Sequence, residues 1–136
     1  MSKRLTFRPV GIPGGAYPEW LRALDGKSGV YVIRQPRAFG SAEVVYVGES
    51  HTGRLYGTIT RHFQGWRRYK SWWSHVFAPV RPHDPGLTYP RATVEVAVRV
   101  TSSNGALDLQ AELIQQLRPR DNLLEVVQDE QPAVPF

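Results

Sequence analysis

Tyr31, Tyr46, Arg54, Arg61 and His62 bring two phenols, two guanidinium groups and an imidazole into one short stretch of chain. In that combination a phenol or an imidazole can take a proton from water, and a guanidinium can offset charge on the non-bridging oxygens of a phosphodiester. The chemistry that these residue types suit is phosphodiester cleavage. Taken singly, each has a plainer reading: tyrosines in strands commonly pack a sheet, and a histidine on a helix commonly faces water.

The elements that must position these groups are legible on either side of them. Val30, Tyr31, Val32 and Ile33 predict a strand over 29–35, and Val44, Val45, Tyr46 and Val47 another over 43–48. Pro36, Gly40 and Ser41 fill the connection, so the two runs form a hairpin with a long loop and place Tyr31 and Tyr46 on neighbouring strands. After the loop Glu49 to Gly53, a helix over 54–65 carries Leu55, Ile59, Phe63 and Trp66 as an apolar stripe. Arg54, Thr58 and Arg61 flank that stripe on one side, giving the helix a cationic face.

Upstream, Leu5 to Val10 is a short apolar piece ended by Gly11, Pro13, Gly14 and Gly15. Tyr17 to Leu24 then predicts a helix packed on the sheet without chemistry, its Trp20 read as core and not as a stacking platform. Downstream, 64–89 interleaves Arg67, Arg68 and Lys70 with Trp66, Tyr69, Trp72 and Trp73. Cations hold phosphates and rings stack on splayed bases, so this segment reads as an insertion contributing a nucleic-acid surface, with about half of its aromatics in the core. Ala92 to Thr101 alternates, with Val94, Val96, Val98 and Val100 on the face that meets the helices, and forms the third strand. Ser102 to Gly105 turns, and Ala106 to Arg118 is a closing helix with Leu109, Leu113, Ile114 and Leu117 toward the core. The fold class is therefore α+β: a small three-stranded antiparallel sheet flanked by helices, with an aromatic and basic insertion before the third strand. Its parts are an N-terminal extension, 1–27, packing on the core, a domain over 28–123, and a loosely held tail, 124–136.

With 136 residues, one domain is expected. Lys and Arg number 17 against 12 acidic residues, a net charge of +5, and the isoelectric point near 9.9 favours a polyanionic partner. No cysteine is present, which excludes disulfides and thiolate zinc sites and fits an intracellular, cytoplasmic location. The absence of a long apolar run or signal-peptide pattern speaks against membrane insertion and secretion. His51, His75 and His83 lack metal-ligand spacing.

The order Gly29-Val30-Tyr31, Tyr46-Val47-Gly48, then a helix ending Arg61-His62-Phe63, resembles the GIY-YIG nuclease family. Leu113, Ile114, Leu117, Pro119 and Asn122 resemble that family's closing helix and its Pro-x-x-Asn end, so the likeness spans about residues 28 to 123. It implies an endonuclease that cuts DNA, double-stranded, branched or single-stranded, with one divalent metal, Mg²⁺ or Mn²⁺, in repair, restriction or recombination. One tyrosine acts as or positions the general base, an arginine steadies the phosphate, and a glutamate on the late helix holds the metal. Tyr31, Tyr46 and His62 match the family's positions, and Asn122 matches its terminal asparagine, either as a nucleic-acid contact or as a bridge from the late helix to the sheet.

Two positions depart from the pattern. Thr58 stands where the family has its arginine, and Arg54 and Arg61 lie one turn to either side. Gln110 stands where the family has its glutamate, and Glu112 is turned away from the helix's apolar face. A metal would then rest on Gln110 and water, or on Glu49, which alternatively caps the helix or pairs with Arg54. The second function class is accordingly a catalytically weak or inactive nucleic-acid-binding module that keeps the fold. RNA as the target, a dimer and a protein partner stay open.

Overall fold

The computed structural model describes residues 4–64 and 88–122. Arg67, Arg68 and Lys70, most of the segment read as an insertion, and the tail 124–136 lie outside the described residues. Within them the elements run β1 (Arg8–Pro9), α1 (Glu19–Arg22), β2 (Gly29–Gln35), β3 (Glu43–Ser50), α2 (Leu55–Arg61), β4 (Glu95–Val100) and α3 (Ser103–Leu117). The four strands form one antiparallel sheet in the order β1-β4-β2-β3.

The sheet thus has four strands, where three are expected from the sequence. The extra one is β1, two residues long, paired to β4 through Arg8↔Val96 and Pro9↔Glu95. It is too short to leave an alternating pattern. Its Pro9 lacks an amide hydrogen, which restricts it to the sheet's edge.

Alternation along the strands gives both faces of the sheet a core. On one face Tyr31, Ile33, Tyr46, Val94 and Val96 pack with Leu21 and Leu24 from the α1 region and Leu55 and Ile59 of α2. On the other, Val30, Val32, Val47 and Ala97 pack with Ala106 and Leu113 of α3, and with Leu5 and Phe7. Val94, Val96 and Val98 do pack in the cluster that holds the helix leucines, Val100 stays exposed, and the alternate position Ala97 meets a helix as well, because α3 covers the second face. Arg34 crosses from β2 to Glu95 on β4 at 2.8 Å and lies 4.0 Å from the ring centre of Phe7.

Gly29 is required where β2 runs tight against β4, since a Cβ there would run into the Arg99 carbonyl. Between β2 and β3 the register shifts after Ile33: Ile33 faces Tyr46, and Arg34 faces Val44. Val45 is the extra residue of a β-bulge, so Val45 and Tyr46 both reach the α1–α2 face.

Helix limits differ from the sequence pattern for local reasons. α2 stops at Arg61 because the amides of His62 and Phe63 bond to the carbonyls of Ile59 and Thr60, three residues back, which tightens the turn. α3 begins at Ser103, three residues earlier than the apolar spacing indicates, because the Ser102 hydroxyl accepts from the Gly105 amide as an N-cap. It ends where Arg118 takes a left-handed conformation, φ 48°, just before Pro119. No helix among the described residues is long and apolar enough to cross a membrane.

Candidate active site

Tyr31 lies in the middle of β2 opposite Gly48, and His62 closes the C-terminal end of α2. These two elements are far apart in sequence, yet packing of Leu55 and Ile59 on the sheet brings their side chains together. The Tyr31 hydroxyl and His62 Nε2 form a hydrogen bond of 2.6 Å between groups that are each 1% exposed. The ring of Tyr46 lies 4.8 Å from that of His62 and 6.0 Å from that of Tyr31. The two tyrosines and the histidine named from the sequence are therefore one buried cluster.

Gly48 makes room for it. A Cβ at Gly48 would overlap the Tyr31 hydroxyl and ring, so only glycine lets the phenol lie flat over β3 on its way to His62. Gly48→Ala is expected to push Tyr31 off His62 and to destabilise the fold by about 1–3 kcal/mol through overpacking. Gly57→Ala in α2 meets nothing within 4 Å and should instead stabilise by about 0.5–1 kcal/mol, since alanine is the better helix former. Urea titration of the two variants checks the contrast; equal midpoints would show that the ring relaxes freely.

Two further residues complete the cluster and were not singled out by sequence reasoning. Tyr89 lies 5.8 Å, ring to ring, from His62, and its backbone amide donates to the His62 carbonyl at 2.7 Å. Its hydroxyl donates to Asp121 Oδ2 at 2.7 Å, and Asp121 also accepts from Arg120 Nε at 2.9 Å. Burial, followed by the hydrogen bond to Asp121 and that carboxylate's charge, pushes the Tyr89 phenol far above its ordinary range, so it stays protonated and donating. Arg120 is held charged by the same carboxylate. The available signal was that Asp121 directly precedes Asn122 and Tyr89 ends the basic, aromatic segment.

Arg54, Thr58 and Arg61 line one open groove of about 380 Å³ along α2, together with Thr52, Tyr56 and Asp25. The grouping of the three on one side of the helix is as their spacing requires. Both arginines are exposed, and Thr58 lies half-buried between them.

Asn122 is placed otherwise than as a nucleic-acid contact. It is buried, its Oδ1 accepting from the Val47 amide at 2.6 Å and its Nδ2 donating to the Val47 carbonyl at 2.7 Å. With both ends of the amide held by β3, it serves as the bridge from the end of α3 to the sheet. Glu49 is bonded to His51 Nδ1 at 2.9 Å and is not the partner of Arg54. Its register partner is Val30, so it belongs to the α3 side of the sheet, opposite Tyr31 and Tyr46. Gln110 is half-buried on the sheet-facing stripe of α3.

A divalent ion fits these donors poorly. Gln110 offers a neutral carbonyl, Glu49 is shared with an imidazole, and the Asp121 carboxylate is taken by Tyr89 and Arg120. Among the described residues, no three histidine, aspartate or glutamate side chains converge to hold a metal. No family model, curated protein or solved structure matches the chain.

Proposed function

We propose that this chain is a DNA endonuclease of the kind that its tripeptide order resembles, hydrolysing phosphodiester bonds at the Tyr31–His62 pair. The observation that carries the reading is the buried 2.6 Å bond between the Tyr31 hydroxyl and His62 Nε2. With the imidazole neutral and accepting, the phenol oxygen gains basic character, and a proton taken from water by Tyr31 passes to His62. Tyr46 and Tyr89 flank the imidazole and fix its orientation. Arg54 and Arg61, on the exposed side of α2, supply cations for the phosphate. The divalent ion that the resemblance implies would contribute Lewis-acid charge at the scissile phosphate. Gln110 and Glu49 do not make a site for it beside Tyr31.

A second reading is favoured by the same burial. Tyr31 and His62 are each 1% exposed, which suits a bond that pins the end of α2 to the sheet in a nucleic-acid-binding module without efficient cutting. Incubating the chain with supercoiled, branched and single-stranded DNA, in Mg²⁺, Mn²⁺ or chelator, separates the two. Cleavage by the wild type that falls about 10²-fold or more in Arg54→Ala/Arg61→Ala supports the enzyme. Binding without cleavage, and cleavage gained by Gln110→Glu, supports the module.

A further inference from the structure

Beyond β4, on the α1 side of the sheet, a second groove of about 380 Å³ is edged by Arg4 and Arg8, with Trp20 as a wall and Val98 and Val100 beneath. Val100 is 55% exposed, a large apolar side chain left open on a strand that is otherwise mostly covered. The Arg8 guanidinium lies 5.8 Å from the centre of a Trp20 ring, so a cation already sits beside the aromatic wall. Among the described residues no carboxylate lines this groove. Glu95, opposite Pro9 in the register, is held by Arg34 at 2.8 Å.

An apolar floor, an aromatic wall and a cationic rim are together complementary to a nucleobase joined to phosphates. We infer that this groove is a second contact for single-stranded nucleic acid, seating a base against Trp20 and the adjoining phosphates on Arg4 and Arg8. The inference rests on the nucleic-acid partner proposed above, and it gives the N-terminal extension a binding role in addition to packing. Its position suits the role. Val98 is the register partner of Tyr31, and two strand spacings, about 10 Å, separate β2 from β1. A strand held in the groove therefore passes close to the face that carries the tyrosine–histidine cluster.

Fluorescence anisotropy of a labelled single-stranded oligonucleotide across a salt series tests this on the full chain. Arg4→Ala/Arg8→Ala should weaken binding about tenfold or more and flatten the plot of log K against log salt by about 1.4, at about 0.7 per phosphate contact. Trp20→Leu should weaken binding about fivefold or more with the slope kept, because stacking carries no counterion release. Arg37→Ala, which removes a cation on the far hairpin loop, should change both far less than the double variant. Wild-type affinity and slope in both groove variants would overturn the inference, as would equal binding of a poly-glutamate tracer, since an acidic peptide has no ring to stack. The arginine variant is the safer test of the two, because both side chains are exposed and circular dichroism reports directly whether its fold is kept. Parallel cleavage assays keep the two readings apart. Groove variants that lose binding while the wild type cuts nothing would uphold the groove and overturn the nuclease, and cutting by the wild type with unaltered groove variants would do the reverse.

Discussion

Tyr31→Phe removes one oxygen from the buried cluster, and it is expected to lower the cleavage rate by about 10²–10⁴-fold, the range for loss of a positioned proton-transfer group. The same change takes from the buried His62 Nε2 its 2.6 Å partner, so stability should also fall by about 1–3 kcal/mol. The two effects can be separated. At temperatures and urea concentrations where the variant is still fully folded by circular dichroism, the rate loss persists if the hydroxyl takes part in the reaction. A cycle with His62→Gln strengthens the test. If Tyr31 and His62 act as one proton-transfer unit, the double variant should cut no more slowly than the worse single variant. Cleavage by Tyr31→Phe at the wild-type rate, with stability reduced as expected, would leave the pair a structural bond and favour the binding module.

The same residues show why much of this site is readable in the sequence. Tyr31 and Tyr46 stand in β-branched and aromatic runs that read as strands, and the turn formers between the runs join them as a hairpin, which makes the two tyrosines neighbours. His62 follows an apolar stripe at helical spacing, so docking Leu55 and Ile59 on the sheet also fixes where the imidazole goes. What was not readable depends on single backbone events. The bulge at Val45 turns that valine and Tyr46 to one face, and no residue type there announces it. β1 is two residues long and exists only because β4 offers an edge. Tyr89 and Asp121 join the site through long-range hydrogen bonds to His62, to Val45 and to each other, which leave no periodicity in the chain. Glu49 is near the tyrosines in sequence, but strand alternation turns it to the other face, whereas Asn122, placed by the Pro-x-x-Asn resemblance, takes the bridging position of the two that the resemblance allows.

That free edge is where the second large effect is expected. β3 pairs with β2 alone and is the outermost strand of its side of the sheet. An unpaired edge presents amide and carbonyl groups that invite another chain. Here the segment after α3 covers it: the Arg120 amide donates to the Val44 carbonyl at 3.2 Å, the Asp121 amide to the Val45 carbonyl at 2.8 Å, and the Asn122 side chain takes both backbone groups of Val47. One carboxamide thus mimics a strand residue. Asn122→Ala leaves a buried amide and a buried carbonyl unsatisfied, at about 1–3 kcal/mol each, so a loss of about 2–6 kcal/mol is expected from urea unfolding. Light scattering on the same samples should show earlier self-association, since the edge of β3 is uncovered. Asn122→Asp isolates the donor half of the bond. An ionised carboxylate still accepts from the Val47 amide but sets a negative oxygen against the Val47 carbonyl, 2.7 Å away where Nδ2 now donates. Its pKa in the folded state should therefore rise above the usual value of about 3.9. A raised folded pKa means that stability is greatest below the unfolded value and is lost as pH climbs through the folded one. Asn122→Asp should accordingly approach the wild type in acid and fall toward Asn122→Ala at neutral pH. A wild-type midpoint for both variants at neutral pH would show that β3 needs no such cover.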